Sequence, residues 1–142
     1  MANSLNGLDL DALDRHLRAV GVPRTGELRA ELISGGRSNL TFLVYDDAAK
    51  WVLRRPPLSG LTPSAHDMGR EYRVISALAG TAVPVPPAVT ASDDESVLGA
   101  PFQMVEYVAG RVVRHTEDLE ALGDRTAISE TVDALIRVLA DL

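Results

Sequence analysis

Three groups of residues in this 142-residue chain could together build a site for an anion. The first is the run Gly35, Gly36, Arg37, Ser38 and Asn39, which interrupts strand-forming sequence that resumes at once with Thr41-Phe42-Leu43-Val44. Two glycines let backbone approach a ligand closely, and free N–H groups in such a turn can point at a phosphate. Ser38 and Asn39 add short polar groups beside them. The second is Arg54, in the stretch Trp51-Val52-Leu53-Arg54-Arg55-Pro56-Pro57. Strand alternation sends Val52 and Arg54 to one face and Trp51, Leu53 and Arg55 to the other. One arginine is thus free for a cleft and the other is structural. The third is Glu71, an acid at the edge of a helical apolar stripe. Such a carboxylate wants a cation, because burying it unpaired costs several kcal/mol. Arg54 is the obvious partner. The alternative makes Glu71 with Arg54, Arg70 or Arg73 an ordinary surface pair, and the glycine run read by itself is an ordinary hairpin turn.

The elements that must position these groups follow from periodicity and punctuation. Residues 9–20 predict a helix, with Asp9 as cap, Leu10, Leu13, Leu17 and Val20 at helical spacing, and Gly21 and Pro23 as the stop. Strands are expected over Leu28–Ser34, Leu40–Tyr45 and Lys50–Arg55, the last ended by Pro56-Pro57. Thr62 and Pro63 open a second helix that runs to about Ala79, with Met68, Tyr72, Ile75 and Ala79 as its apolar stripe and Gly80 as its end. His66 and Asp67 stand near its start, either orienting it or as an exposed first-turn pair. A strand at Ala88–Ala91, a polar turn and a buried strand at Phe102–Glu106 follow. A last amphipathic helix, Thr126–Leu142, carries Ile128, Val132, Leu135, Ile136 and Leu139 on one side. The expected fold class is α+β, a five-stranded antiparallel sheet with one packed helix and the beginning of a helical second lobe.

Composition removes several functions. Net charge is -6, which disfavours a nucleic-acid partner. There are no cysteines, hence no disulfide framework, thiolate metal site or cysteine nucleophile. His16, His66 and His115 lie too far apart in sequence to argue for a metal. No apolar run approaches membrane length, and Asp9, Asp11 and Asp14 occupy the place of a signal peptide's basic and apolar regions. A cytoplasmic location without membrane association is the expectation.

A glycine hairpin, an inward-facing base one strand later and an acid on the next helix follow the order of a protein-kinase amino-terminal lobe: cover, cation and orienting acid. The chain resembles the N-terminal part of the aminoglycoside phosphotransferase family, phosphotransferases with a kinase-like fold. It is most similar to a branch whose members include kinase-like domains linked to acyl-CoA dehydrogenases. The resemblance spans Leu32 to Leu142. It is carried in order by GGRSNLTFLV (35–44), WVLRRPP (51–57), AHDMGREYRVISAL (65–78), VPVPPAV (83–89) and GAPFQMVEYVAGRV (99–112).

The resemblance implies an N-terminal helical segment at 1–26, a nucleotide-binding lobe at 27–108, and a hinge exit with the first part of a helical lobe at 109–142. Gly35, Gly36, Arg37, Ser38 and Asn39 would cover the phosphates of ATP. Arg54 stands where the family's nucleotide-binding lysine is usual, and Glu71 is its helix partner. Gln103 to Val108 would be the strand and hinge that meet adenine, with Glu106 and Val108 offering backbone groups and Met104 lining the pocket edge, although a methionine there also suits plain core. Arginine is a planar, permanently charged fork, able to bridge a phosphate and Glu71, where lysine is a compact point charge.

The family's catalytic loop and magnesium-binding segment would follow the last helix. The 142 residues alone are therefore expected to be an inactive, truncated part of an ATP- and Mg2+-dependent phosphotransferase. Its acceptor would be a hydroxyl on a small molecule, with a weak tilt to a hydroxyacyl type. A degenerate lobe that binds nucleotide or a partner without catalysis, and an inactive remnant, are the alternatives. The stripe on the last helix would fold back, fray or self-associate.

Overall fold

Alternating apolar residues build a five-stranded antiparallel sheet from β3 (Arg29–Ser34), β4 (Leu40–Tyr45), β5 (Lys50–Arg55), β6 (Ala88–Ser92) and β7 (Phe102–Glu106), in the order β3-β4-β5-β7-β6. The computed structural model describes residues 4, 5, 7–34, 39–57 and 67–142. A two-residue pair, β1 (Ser4–Leu5) with β2 (Leu8–Asp9), precedes the sheet and leads into helix α1 (Leu10–Ala19). Helix α2 (Met68–Leu78) separates β5 from β6, and a single helical turn, α3 (Glu95–Leu98), separates β6 from β7. The chain divides into two compact units, Met1–Ala77 with Pro86–Tyr107, and Leu78–Val85 with Val108–Leu142.

The α+β architecture expected from the sequence is present. Strands β4, β5 and β7 have the expected bounds, and β7 lies inside the sheet between β5 and β6. Register assigns the faces. Phe42 pairs with Leu53 and Leu53 with Met104, so these three share one face. Thr41 pairs with Arg54 and Arg54 with Gln103, so these three share the other.

The first face holds the core. Leu40, Phe42, Val44, Trp51, Leu53, Phe102 and Met104 are buried in one cluster with Leu8, Leu10, Leu13 and Leu17. Helix α1 thus closes that face, with the leucine spacing that predicted it turned inwards. The Asp9 carboxylate accepts from Ala12 N–H at 2.9 Å at its start. At its end Val22 N–H donates to Leu17 O (2.9 Å) and Gly21 N–H to Arg18 O (3.2 Å). That reciprocal pair needs the left-handed Gly21, whose φ is +80°. His16 meets Phe102 edge-on, ring centroids 5.3 Å apart, and its Nε2 lies 3.2 Å from Thr90 Oγ1.

Arg55 also faces this side. It is only 3% exposed, and its guanidinium donates to Gly7 O (2.6 Å) and Leu98 O (3.0 Å). It ties the N-terminal pair and the end of α3 to the sheet, the structural role that alternation assigned to it. At the sheet's far end Arg24 stands between Asp14 (2.8 Å) and Asp46, over the Trp51 ring at 5.7 Å. Asp46 also accepts from the N–H groups of Thr25, Ala48 and Ala49, each at 2.8 Å. Burial pushes the Asp46 carboxyl up, but those three donors and the Arg24 guanidinium outweigh it and hold it below the usual carboxylate range.

Two local readings differ from the sequence expectation. The expected polar turn Ser92–Ser96 runs into a helical turn, since Asp94 caps α3 by accepting from Ser96 N–H at 2.9 Å. In the second unit, α4 (Thr116–Glu120) precedes the expected last helix, α5 (Arg125–Asp141). Asp118 organises α4 by accepting from Arg114 and His115 N–H, both at 2.9 Å. Val132, Leu135, Ile136 and Leu139 of α5 are exposed. Among the described residues, no helix is long and apolar enough to cross a membrane.

Candidate functional site

The face of the sheet away from α1 carries Thr41, Arg54 and Gln103. Arg54 extends from β5 and meets Glu71 of α2, its Nη1 donating to Glu71 Oε2 at 2.8 Å. Of the three partners open to Glu71 from sequence, the structure selects Arg54. The choice is physical. Arg54 projects from the sheet towards α2, whereas Arg70 and Arg73 stand one and two positions from Glu71 on its own helix, spacings at which side chains do not face each other. Helix α2 is positioned from its first turn, where the Asp67 carboxylate accepts from Arg70 N–H at 2.7 Å. The helix opening expected at Thr62-Pro63, and His66, lie outside the described residues. Of the stripe expected to pack, Met68 is buried, Tyr72 and Ile75 are half-buried and Ala79 is exposed.

A third side chain joins the pair. Gln103, opposite Arg54 on β7, donates from Nε2 to the same Glu71 Oε2 at 2.9 Å. The sequence carried a signal for it, a lone amide inside the otherwise apolar run Phe102–Val105, but its partner depends on cross-strand register.

Around the pair is an open depression of about 350 Å3 lined by Arg54, Arg70, Glu71, Val74 and Ile75. Two guanidiniums against one carboxylate leave it net positive, which suits an anion. The Arg54 side chain is 39% exposed and Glu71 33%, so the fork is reachable from solvent while tethered. Among the described residues no group of three or more His, Cys, Asp or Glu is placed to hold a metal ion.

The remaining expected site residues are distributed as follows. Gly35, Gly36, Arg37 and Ser38 lie outside the described residues. Their flanks are fixed by register, because Thr41 pairs with Ser34 on one side and with Arg54 on the other. Arg54 therefore stands beside the strand that follows them in sequence. Asn39 is buried at the start of that strand. Met104 is fully buried in the core on the α1 face, so its side chain does not share the Arg54 face; Val105, paired with Val52, does. Glu106 N–H donates to Pro87 O at 2.8 Å, so that group is already engaged. Val108 falls in the second unit and is 65% exposed.

Comparison with known proteins accords with this arrangement. The model of the Phosphotransferase enzyme family matches residues 29–142. The chain belongs to the phosphotransferase enzyme family. This family member is 36% identical over 105 residues to mouse acyl-CoA dehydrogenase family member 10, covering 73% of this chain and 10% of that protein. It is also 36% identical over 102 residues to human acyl-CoA dehydrogenase family member 11, covering 72% and 13% respectively. Among solved structures it is similar to a putative aminoglycoside phosphotransferase from Ralstonia eutropha JMP134. The TM-score is 0.62 at 37% identity, over 75% of this chain and 30% of that one. The phosphotransferase-family chain thus spans about a tenth of its curated relatives and under a third of the solved one.

Proposed function

We propose that this chain is the nucleotide-binding lobe of an ATP-dependent phosphotransferase that transfers the γ-phosphoryl group to a hydroxyl of a small metabolite. The observation that carries the reading is the Arg54–Glu71 pair at 2.8 Å, set in a net-positive depression beside the strand that follows residues 35–38 in sequence. Arg54 holds phosphate oxygens, and its planar fork can do so with one N–H group still on Glu71. Glu71 keeps the guanidinium from dispersing into solvent. Gly35, Gly36, Arg37, Ser38 and Asn39 cover the phosphates through backbone and short side chains. Glu106 meets adenine through its backbone carbonyl, because its N–H is engaged. Met104 contributes to this pocket only by packing the strand that carries it.

ATP would supply the phosphoryl group when bound, and magnesium would neutralise developing charge; among the described residues no group of three or more His, Cys, Asp or Glu is placed to hold that ion. The acceptor is proposed to be a small hydroxyl-bearing, hydroxyacyl-type molecule, by analogy with relatives named as acyl-CoA dehydrogenase family members. A cytoplasmic location is proposed from the acidic, cysteine-free composition.

Calorimetric titration with ATP tests the reading. The protein is expected to bind ATP, and Arg54→Met to weaken that binding by about tenfold or more, as for loss of a hydrogen bond to a charged group. Binding unaffected by Arg54→Met refutes the assignment. The 142 residues alone are expected to give no phosphoryl transfer, so turnover by them would show that the catalytic groups lie within them and refute that expectation. If a longer protein containing them binds ATP but transfers to no acceptor, the non-catalytic binding reading replaces this one.

A further inference from the structure

We propose that Gln103 is a positioning residue. It holds the Glu71 carboxylate to the sheet, so that Arg54 can turn to an anion without Glu71 and α2 following. The inference rests on the reading of Arg54 as the cation for nucleotide phosphates.

Arg54 Nη1 and Gln103 Nε2 donate to one and the same oxygen, Glu71 Oε2, at 2.8 and 2.9 Å. The two donors come from facing positions on adjacent strands, so β5 and β7 together present a fork to one helix carboxylate. Their surroundings differ. The Arg54 side chain is 39% exposed, whereas Gln103 is only 2% exposed and is enclosed on every side. A guanidinium drawn to a phosphate must share or loosen its hold on Glu71. The partly exposed carboxylate would then be free to rotate into water. The Gln103 amide is neutral, so it does not compete for the anion, and its enclosure leaves it nowhere else to go.

The other end of the amide supports this assignment. Gln103 Oε1 is buried and, among the described residues, has no hydrogen-bond partner. Such an oxygen destabilises the fold where a methionine of similar length would not. The compensating contact is the bond to Glu71. Reversing the amide would set Oε1 against Glu71 Oε2, acceptor facing acceptor, so the donor orientation follows from the contact itself.

The experiment compares the protein with Gln103→Met, titrating each with ATP and with adenosine. ATP binding is expected to weaken about tenfold, while adenosine affinity stays within about twofold, because Gln103 acts only through the phosphate-binding cation. A general packing defect would weaken both ligands alike. Equal losses, or no loss for ATP, overturn the proposal. If the unaltered protein binds neither ligand, the phosphotransferase reading fails instead. Gln103 is then judged by hydrogen exchange of its side-chain amide protons in NMR. Exchange is expected to accelerate about tenfold in Glu71→Ala, where the charged acceptor is gone. Protons that exchange alike in both proteins overturn the anchoring itself.

Discussion

The Arg54–Glu71 pair should matter little to folding, and that expectation can be measured. The perturbation is a double-mutant cycle of Arg54→Met, Glu71→Gln and the pair together. At 2.8 Å the geometry suits a charge-assisted hydrogen bond, which is worth about 1.5–3 kcal/mol when enclosed. These side chains are 39% and 33% exposed, however, so water competes for both. Exposed ion pairs contribute about 0.2–1 kcal/mol, and the second donor from Gln103 places this one near the upper end. A coupling of about 1 kcal/mol is therefore expected from urea unfolding. It should shrink in 1 M salt, where the screening length falls to about 3 Å. The same substitutions should affect ATP binding far more than they affect stability. A coupling above about 3 kcal/mol would mark a buried structural keystone and show that the pair serves the fold before it serves binding. A coupling of zero at low salt would mean that the pair does not form in solution.

Two further outcomes follow from the packed face of the sheet. The Asp46 carboxyl is held below its unfolded value of about 4, so its contribution to stability is complete above that pH and is lost as pH falls through the lower folded value. Thermal melts from pH 7 downwards should show this acid loss, Asp46→Asn should flatten it, and a variant with the original slope would contradict the assignment. Leu13, fully buried on α1, should cost about 2–5 kcal/mol when changed to Ala, whereas Val20, 50% exposed on the same turn-ending segment, should cost under about 0.5 kcal/mol. Equal costs in urea unfolding would show that α1 does not close the sheet in solution.

Much of this architecture was legible because its signals are local. The apolar alternation of Leu40–Tyr45 and Lys50–Arg55 predicted both strands to the residue and sent Arg54 and Arg55 to opposite faces. What was not legible depends on pairings between distant residues. Nothing in the helical spacing of Leu10, Leu13 and Leu17 says which face of the sheet they cover. Helix α3 escaped because four residues make one turn, too short for a periodic signal, and its stability comes from the Asp94 cap and the left-handed Gly99 at its end. Gln103 and Met104 are neighbours whose parity decides their roles. Only the register Arg54↔Gln103 shows that the amide shares the arginine's face and that the methionine belongs to the core.

The two adjacent arginines of β5 show how the sheet separates stability from chemistry. They are the same residue type in the same strand, yet Arg55 is buried against two backbone carbonyls and Arg54 is tethered to a carboxylate at an open depression. Burial pushes the Arg55 pKa down, but arginine stays charged, and carbonyl dipoles at Gly7 and Leu98 take the place of a counter-ion. A buried guanidinium so enclosed cannot turn to a ligand without abandoning both elements that it ties down. Arg54 can, because its partner has a second holder in Gln103. The face closed by α1 is thus committed to the fold, and the face that carries Arg54, Glu71 and Gln103 is left able to respond to an anion. Substitutions on the first face should register in unfolding experiments, and those on the second in binding.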